Sequence, residues 1–362
     1  MNTAEYDLPF MRQALAVAEQ AIGLTDPNPR VGCVLVDASD RVIGQGHTQP
    51  AGQAHAEVMA LRDAAARGAD VRGATAYVTL EPCSHHGRTP PCCDALIQAG
   101  VARVVAAVED PNPLVAGQGL ARLQAAGIQV ASNLLADESR ELNIGFFARM
   151  QRGQPFVRLK AAVSLDGRTA LADGRSQWIT GPDARRDGHA WRKRAGAVLT
   201  GVGTLLADDP RLDVRLVETP RQPLRVLLDS TLRAPASARL FAPPGDVLVY
   251  TAAESPAAIP ASNVEIQRMA APDGRVDLHA VLDDLARRGI NELHVEAGAA
   301  LSAAFLEAGL VDELLVYMAP MLIGPGKPLA ELAALPGLDA ARRWRFVDIA
   351  PLEPDIRLRL RP

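Results

Sequence analysis

The chain has 362 residues, which is enough for two domains of ordinary size. Its 38 basic and 42 acidic residues give a net charge of −4 without a prominent run of lysine or arginine, which argues against a broad nucleic-acid-binding surface. Hydrophobic residues make up 48% of the chain and aromatic residues only 4%, so the predicted cores consist mainly of Ala, Val and Leu.

The first half of the sequence alternates between helical and strand-like patterns. These patterns predict, in chain order, a helix over 6–22, strands over 31–36 and 41–46, a helix over 54–66, a strand over 75–80, a helix over 93–99, a strand over 103–108, a helix over 119–126 and a strand over 128–132. This alternation predicts one α/β sheet with helices on its faces. In the helix over 54–66 we expect Val58, Leu61 and Ala65 to form the buried stripe.

A polar segment over 149–155, which contains Gly153 and Pro155, is predicted to be a linker between domains over 1–148 and 156–362. A second α/β pattern follows the linker. Its predicted elements are a strand over 156–163, a turn over 164–168, strands over 197–201 and 225–229, a helix over 278–289, a strand over 292–296, a helix over 299–308 and a strand over 312–319.

His55, Glu57, Cys83 and Cys92 form the most informative motif of the chain. One imidazole and two thiolates are enough to hold a zinc ion with one coordination position left open, as in catalytic zinc sites. Zinc lowers the pKa of a bound water to about 7, and a carboxylate beside it can carry protons to a ring nitrogen and to the leaving ammonia. The order of these residues is typical of zinc-dependent nucleobase deaminases.

The residues of this motif also have ordinary interpretations. Taken singly, the histidine and the cysteines could be core residues and the glutamate a surface residue. Spacing alone does not choose between Cys92 and Cys93, whereas Cys33 lies in an apolar strand and is expected in the core. Four cysteines, three of them in a metal motif, indicate a reducing, cytoplasmic compartment. We expect neither a signal peptide nor a membrane span, since no apolar run reaches about 18 residues.

The second half contains two junctions in which a strand, a glycine and a helix follow one another. These are the segment over 201–203 and the end of the strand over 292–296, which leads into Gly298. Such junctions can receive a phosphate at a helix N-terminus, although a tight turn explains either one alone. Trp178 is either a core residue or a stacking platform for a flat ring, and Arg192 and Arg215 are either surface charges or phosphate ligands.

Longer motifs make the chain resemble a known family, the bifunctional deaminase/reductase of riboflavin biosynthesis. The resemblance in the first half lies in the segments over 27–32, 55–57, 79–94 and 110–113. In the second half it lies in the segments over 160–169, 176–180, 206–210 and 295–298. It covers essentially the whole chain in the same domain order.

The resemblance implies a cytidine-deaminase-like α/β/α domain followed by a dihydrofolate-reductase-like α/β domain. The first would use Zn²⁺ to deaminate 2,5-diamino-6-ribosylamino-4(3H)-pyrimidinone 5′-phosphate. The second would use NADPH to reduce the ribosyl side chain, giving 5-amino-6-(5-phosphoribitylamino)uracil. The implied partners are small phosphorylated pyrimidines, without nucleic acid or membrane, and we expect a homo-oligomer.

The same resemblance implies the roles of individual residues. His55, Cys83 and Cys92 take the zinc-ligand positions, Glu57 the proton-shuttle position, and Asn28 lies in the pyrimidine pocket. The positions that match NADPH contacts are Ala162, Trp178, Thr204, Asp208, Gly298, Ala299, Ala300, Leu301, Ser302, Ala303 and Ala304. The positions that match substrate contacts in the reductase half are Ser176, Arg192, Leu212, Arg215 and Glu296.

Two other functions share part of this pattern. A tRNA or free-nucleobase deaminase with a nucleotide-binding C-terminal module would use the same zinc chemistry, but it leaves about 200 residues unexplained and lacks a basic surface. A metal-stabilised scaffold without activity would need a fourth protein ligand, for which Cys93 and His85 are candidates.

Overall fold

The computed structural model of the chain describes residues 3–85, 90–113, 115–254, 259 and 261–362. It divides into two compact units, Met1–Gly153 and Gln154–Pro362. Among the described residues, no helix combines the length and the apolar character needed to cross a lipid bilayer.

The first unit has the predicted alternation of helices and strands. Its strands are β1 (Gly32–Val36), β2 (Val42–His47), β3 (Thr75–Val78), β4 (Arg103–Ala106) and β5 (Gln129–Ala131). Its helices are α1 (Thr3–Glu19), α2 (Ala56–Ala66), α3 (Cys92–Ala99), α4 (Gln118–Ala125), α5 (Ala136–Leu142) and α6 (Ile144–Arg152). The strands lie in the order β2-β1-β3-β4-β5, in which β1 is antiparallel to both its neighbours and β3, β4 and β5 are parallel.

Helices α5 and α6 were not predicted from the sequence. Helix α6 includes residues 149–152, so the predicted linker begins too early, and the helix ends at Gly153, whose φ of 74° is the left-handed conformation common after helices. The polar composition that suggested a linker reflects one face of this helix, on which Arg149 donates to the Pro27 carbonyl at 2.9 Å.

The prediction for the buried face of α2 is wrong. The buried residues of this helix are Ala56, Glu57, Ala60 and Ala64, whereas Val58 and Leu61 are half-buried and Ala65 is exposed. The reason is the close approach of β2, because a Cβ added at Gly44 would lie only 2.4 Å from the Ala60 carbonyl oxygen. Only small residues permit such backbone-to-backbone packing, which fixes the start of α2 against the sheet.

Strand β1 is buried on both of its faces, as expected for a central strand between two helical layers. Cys33 and Leu35 face one core cluster, and Val34 and Val36 face a second cluster that includes Met11 of α1. Cys33 is fully buried, which confirms the prediction that it is a core residue.

The described residues of the second unit form one large sheet, a small antiparallel two-stranded sheet and four α-helices. The strands are β6 (Phe156–Ser164), β7 (Arg168–Leu171), β8 (Ala197–Gly201), β9 (Leu224–Leu228), β10 (Val247–Thr251), β11 (Val264–Arg268), β12 (Glu292–Glu296), β13 (Glu313–Ala319), β14 (Gly326–Pro328), β15 (Arg345–Leu352) and β16 (Asp355–Arg361). The helices are α7 (Pro182–Arg194), α8 (Val202–Asp208), α9 (Leu278–Arg287) and α10 (Ala299–Glu307).

The large sheet has the order β11-β10-β9-β8-β12-β6-β13-β16-β15. The first seven strands in this order, from β11 across to β13, are parallel to their neighbours. Strands β16 and β15 extend the sheet in antiparallel pairing. The carboxyl ends of β8 and β12 are therefore adjacent, and this is the edge at which open α/β sheets bind ligands. The sequence did not predict β15 and β16, because they carry Arg and Asp between their apolar residues.

A buried ion cluster joins the centre of this sheet. The Arg158 side chain is fully buried, and it contacts Glu313 at 2.6 Å and Glu292 at 2.9 Å. Burial alone would raise the pKa of Glu313, but the nearby Arg158 and Arg359 guanidinium groups outweigh burial and hold that pKa at about 2. Strands β6, β12, β13 and β16 are thus tied together by charges that water does not screen.

We expect Glu313→Gln to destabilise the second unit by about 3–5 kcal/mol, because it leaves Arg158 with a missing partner. The folded-state pKa lies below the ordinary value of 4.5, so the stabilisation by Glu313 is present above pH 4.5 and is lost as the pH falls towards 2. The variant should therefore lack this part of the acid sensitivity. Denaturant unfolding followed by tryptophan fluorescence measures it, since all three tryptophans (Trp178, Trp191 and Trp344) lie in this unit.

The matched control is Glu265→Gln, which removes a carboxylate paired with Arg288 on the surface. That change should cost less than about 1 kcal/mol. Equal losses of unfolding free energy in the two variants would contradict the importance of the buried cluster.

Candidate active sites

Three elements of the first unit bring the predicted zinc ligands together. His55 is the residue that precedes α2, Cys92 is the first residue of α3, and Cys83 lies in the segment that follows β3. The His55 Nδ1 atom is 3.3 Å from the Cys92 sulfur and 3.7 Å from the Cys83 sulfur. All three donor atoms lie within 4.8 Å of one another.

This donor set fits a zinc ion. Zinc bonds of about 2.3 Å to sulfur and about 2.0–2.1 Å to nitrogen place the two donors roughly 3.6 Å apart in a tetrahedron. The observed separations of 3.3 and 3.7 Å lie on either side of that value. Within the described part of the chain, His55, Cys83 and Cys92 form this group without a fourth side chain, which leaves one coordination position for a water or a substrate.

The two thiols of this group have opposite pKa shifts. The hydrogen bond with Cys92 lowers the pKa of Cys83 to about 4, whereas the pKa of Cys92 is raised, first by its hydrogen bond with Cys83 and then by burial. Two thiolates side by side repel each other, so one sulfur holds the negative charge. A divalent cation between the sulfurs removes this opposition and favours the thiolate form of both.

Glu57 lies in the first turn of α2, immediately beside the donor atoms. It is 3% exposed, and burial, with a smaller contribution from the charge of Cys83, raises its pKa to about 7. A buried carboxyl group with a pKa near neutrality can both accept and donate a proton, as a general acid–base catalyst requires.

The structure separates the adjacent cysteines by their contacts. The Cys93 sulfur points away from His55 and donates to the Pro82 carbonyl at 3.1 Å and to the Gly119 carbonyl at 3.5 Å. Burial raises the pKa of this thiol to about 12, so it is kept protonated. Sequence spacing could not distinguish the two residues, but as the first two residues of α3 they point in different directions.

Two further polar residues of the first unit are Asn28 and Asp110. Asn28 is half-buried. The nearby backbone of Arg30 is held by the Asn143 side chain, which accepts from the Arg30 amide at 2.7 Å and donates to the Arg30 carbonyl at 3.0 Å. Asp110 follows β4 and is buried, and burial raises its pKa to about 6. A role for the Asp110 side chain was not predicted from the sequence, although its position just past a strand end was an available signal.

The second unit gathers a group of charged residues at the carboxyl end of β12. Arg192 of α7 forms a two-pronged ion pair with Glu296, in which Nη2 lies 3.0 Å from Oε2. The Arg192 Nη1 atom also donates to the Asp213 carbonyl at 2.9 Å, and the Asp213 carboxylate accepts from Arg215 at 2.6 Å. Three of the predicted substrate-contact residues are therefore linked through Asp213.

Lys160 of β6 joins the same group and was missed by the sequence analysis. Its ammonium lies 3.8 Å from Glu296 and above the ring of Tyr317. Burial lowers the pKa of Lys160 and the neighbouring Arg192 acts in the same direction, whereas Glu296 opposes them. Strand β6 is largely apolar and buried, and Lys160 lies half-buried within it, so only the presence of a charged residue in such a strand could have drawn attention to it.

The two glycine junctions lie next to each other at this edge of the sheet. A Cβ added at Gly201 would lie 2.9 Å from Leu301, and one added at Gly298 would lie 3.4 Å from the Thr204 hydroxyl. Gly298 precedes α10 without a side-chain cap, so the first amides of that helix are available to a ligand. This arrangement fits the phosphate groups of a dinucleotide.

The remaining residues predicted to contact substrate or cofactor lie on several elements of the second unit. Ser302 and Ala303 are buried inside α10, so they support the first turn and do not offer side chains to a ligand. Ser176 donates to Asp208 at 3.4 Å, and Trp178, which is 64% exposed, lies against Arg185. Two further positions are Ala162, half-buried on β6, and Leu212, buried with a left-handed φ of 54°. Ala299 is buried, Ala300 is exposed and Ala304 is half-buried.

Two protein families match the chain. The cytidine and deoxycytidylate deaminase zinc-binding region matches residues 4–108, which include the cluster of donor atoms. The RibD C-terminal domain matches residues 155–358, which include almost all of the second unit. Together they account for the residues that a tRNA or free-nucleobase deaminase would leave unexplained.

Curated relatives and solved structures match over nearly the full length. The riboflavin biosynthesis protein RibD of Escherichia coli is 47% identical over 368 residues, covering 97% of this chain and 98% of its own. The Haemophilus influenzae protein of the same name is 44% identical and covers 100% and 99% of the two chains. The structure of Acinetobacter baumannii RibD, form 1, has a TM-score of 0.89 at 43% identity and covers 99% of both chains.

A Thermotoga maritima structure, described as a diaminohydroxyphosphoribosylaminopyrimidine deaminase/5-amino-6-(5-phosphoribosylamino)uracil reductase, is 32% identical with a TM-score of 0.88. It covers 100% of both chains. The cytidine-deaminase-like and dihydrofolate-reductase-like folds expected from the sequence are thereby confirmed. The chain therefore belongs to the RibD family of riboflavin-biosynthesis enzymes, in which a zinc-binding deaminase domain is followed by an NADPH-dependent reductase domain.

Proposed function

We propose that the first unit deaminates 2,5-diamino-6-ribosylamino-4(3H)-pyrimidinone 5′-phosphate at a zinc ion held by His55, Cys83 and Cys92. The second unit then reduces the ribosyl side chain of the product with NADPH to give 5-amino-6-(5-phosphoribitylamino)uracil. The observation that carries the proposal is the convergence of one imidazole and two sulfurs within 4.8 Å, beside a buried carboxyl group.

Glu57 supplies the proton transfers of the deamination. A zinc ion held by this donor set would supply an acidified water, with a pKa of about 7. Glu57 would accept one proton from that water and donate it to a ring nitrogen. It would then accept the second proton from the same oxygen, as this becomes the new carbonyl, and donate it to the departing amine, which leaves as ammonia. Its pKa of about 7 favours this exchange, and its burial keeps bulk water from competing for the proton. Asn28 and Asp110 supply hydrogen-bonding groups around the pyrimidine.

The charged group on the second unit binds and orients the substrate of the reduction. NADPH supplies the hydride. Arg215, held by Asp213, binds the 5′-phosphate, and the Arg192–Glu296 pair lies along the sugar chain. Lys160 is the member of this group that can release a proton, because burial lowers its pKa while the guanidinium of Arg192 stays charged.

The two glycine junctions hold the cofactor. The amides at the start of α10, from Gly298 to Leu301, bind the cofactor phosphates, and Thr204 lies close enough to add a hydroxyl. The side chains of Trp178 and Asp208 and the backbone at Ala162 form the rest of the proposed contact surface. A Cβ at position 298 would lie at an ordinary contact distance of 3.4 Å from the Thr204 hydroxyl, so Gly298 leaves that space open to the cofactor.

We also propose that the protein acts as a homo-oligomer in the reducing cytoplasm without a nucleic-acid partner. All four cysteines are free, and the net charge of −4 does not favour binding to a polyanion. The edge strand β15 exposes Phe346 and Ile349 to 59% and 58%, which is unusual for an edge that stays uncovered. Light scattering of the full chain measures the oligomeric state, and a monomer would exclude this assembly.

We expect Cys92→Ser to abolish stoichiometric zinc binding, whereas Cys93→Ser should retain one zinc ion per chain. Only the sulfur of Cys92 faces His55, and that of Cys93 is engaged with the Pro82 carbonyl. Metal analysis of the purified proteins distinguishes the two, and each variant serves as the control for the other. If Cys93→Ser loses its zinc and Cys92→Ser keeps it, Cys93 is the ligand and the proposed assignment to Cys92 is wrong.

We expect Glu57→Gln to keep its zinc and to lose about 100- to 10,000-fold in deamination rate, since the proton carrier is removed. The test gives the enzyme the diaminopyrimidinone phosphate with and without NADPH and identifies the products by mass. The wild-type enzyme should form the deaminated product alone and the reduced product with NADPH. The variant should still reduce the deaminated intermediate when it is supplied.

The exposed Glu138→Gln change in the same unit is the control and should leave both rates unaltered. Wild-type protein that converts the substrate under neither condition would contradict the proposed function as a whole. Full deamination by Glu57→Gln would exclude Glu57 as the proton carrier.

We expect Arg215→Ala to raise the KM of the reductase for its phosphorylated substrate roughly 10- to 100-fold, the loss of one hydrogen bond to a charged group. The KM for NADPH should stay unchanged. Arg211→Ala is the matched control, because Arg211 also pairs with Asp213, at 3.1 Å, but has no proposed contact with substrate. Steady-state kinetics that show the same change in both variants would point to disruption around Asp213 and not to phosphate binding.

A further inference from the structure

Glu81 lies two residues before Cys83 and is only 3% exposed. Its carboxylate accepts four backbone amides that come from a distant part of the chain. Oε2 accepts from the amides of Asp110 at 3.1 Å and Gly117 at 2.9 Å. Oε1 accepts from the amides of Gly119 at 2.8 Å and Leu120 at 3.2 Å. Hydrogen bonds to an ionised acceptor are roughly twice as strong as neutral ones, so this is a firm junction.

The carboxylate takes the place of a side-chain cap for α4. That helix begins after Gly117, which has no side chain to bind the first amides. Glu81 satisfies two of them, those of Gly119 and Leu120, and places a negative charge at the positive end of the helix. The position of α4 therefore depends on a residue that is 36 or more positions earlier in the chain.

The backbone on either side of Glu81 is also fixed. The Glu81 amide donates to the Val108 carbonyl at 2.9 Å, which continues the pairing of β3 with β4. The next carbonyl, that of Pro82, lies directly under α4, since a Cβ added at Gly119 would be 2.0 Å from its oxygen. Cys93 donates to the same carbonyl from α3. Helix α4 and the zinc-ligand segment are thus packed backbone to backbone.

Cys83 itself is held from the other side by α3. The Cys93 amide donates to the Cys83 carbonyl at 3.2 Å, and the Cys92 amide donates to the Cys83 sulfur at 3.3 Å. The sulfur can therefore keep its distance from His55 only while the Glu81–Pro82–Cys83 segment stays seated between α3 and α4. Glu81 is the charged contact that keeps α4 in place.

We propose that Glu81 is a positioning residue for the deamination, which acts on the metal through the backbone that carries Cys83. It stabilises the arrangement of the three donor atoms without binding the metal itself. This inference rests on the zinc-dependent deamination proposed above. A residue that served the fold alone would change the free energy of unfolding but not the geometry of the bound metal.

The test is Glu81→Gln in the full-length, metal-loaded protein. The amide NH₂ replaces one acceptor oxygen and faces backbone N–H donors, so two of the four hydrogen bonds are lost while the shape of the side chain is kept. We expect the kcat of deamination to fall about 10- to 100-fold at full zinc occupancy, as for other partners that orient metal ligands, with KM changed less than twofold. The reductase rate on the deaminated intermediate should be unchanged.

Cobalt substitution adds a readout that does not depend on turnover. In the Co²⁺-loaded variant, the thiolate-to-cobalt absorption bands should shift from those of the wild-type protein. The matched control is Asp37→Asn, because Asp37 also accepts backbone amides in the first unit, from Ser39 at 2.8 Å and Arg41 at 3.1 Å, in the turn between β1 and β2. It should lower the free energy of unfolding without altering kcat or the cobalt spectrum.

A Glu81→Gln variant with the wild-type kcat and the wild-type cobalt spectrum would overturn the inference, even if its melting temperature falls. If this variant fails to fold, Glu81→Asp is the alternative test. It keeps the negative charge but is one methylene shorter, so its carboxylate lies farther from the backbone amides of α4. A reduced kcat with a shifted cobalt spectrum then supports positioning, and full activity overturns it. Wild-type protein without deamination would contradict the proposed function, whereas the cobalt spectra would still test Glu81.

Discussion

The deaminase unit depends on the convergence of three donor atoms at one point. These atoms come from segments that are 28 and 9 residues apart, so no local element can place them. The start of α2 is fixed by the close packing of Ala60 on Gly44, and the start of α3 holds Cys83 through two backbone amides. The metal site therefore depends on two helix N-termini, each held by contacts that tolerate little displacement.

The same packing sets the chemistry of the site. The burial that brings His55 and the sulfurs together also removes water from Glu57, and this raises its pKa to about 7. A solvated carboxylate in the same position would be a weaker proton carrier at neutral pH. Architecture and reactivity are thus linked by one cause, the exclusion of water from the first turn of α2.

The reductase unit uses charge in a different manner. Arg158 and Glu313 lie in the interior of the sheet and stabilise it, whereas Arg192, Glu296 and Lys160 lie at its carboxyl edge, where we propose that the substrate binds. Both groups pair opposite charges because an unpaired buried charge is costly. At the edge, the pairing with Asp213 holds Arg215 while leaving it partly exposed, which suits the phosphate binding proposed for it. The position along the strands therefore separates the charges that stabilise the sheet from those proposed to bind the substrate.

The sequence by itself determined the zinc motif, the α/β class of both units and the strand–glycine–helix junctions, because these follow from local spacing and local backbone chemistry. Tertiary structure decided the rest. It selected Cys92 over Cys93, gave Ala60 the buried position expected for Leu61, and brought Lys160 to Glu296. It also joined Glu81 to α4. Each of these depends on which part of the chain, distant in sequence, packs against a residue, and the spacing of residues along the sequence does not determine that neighbour.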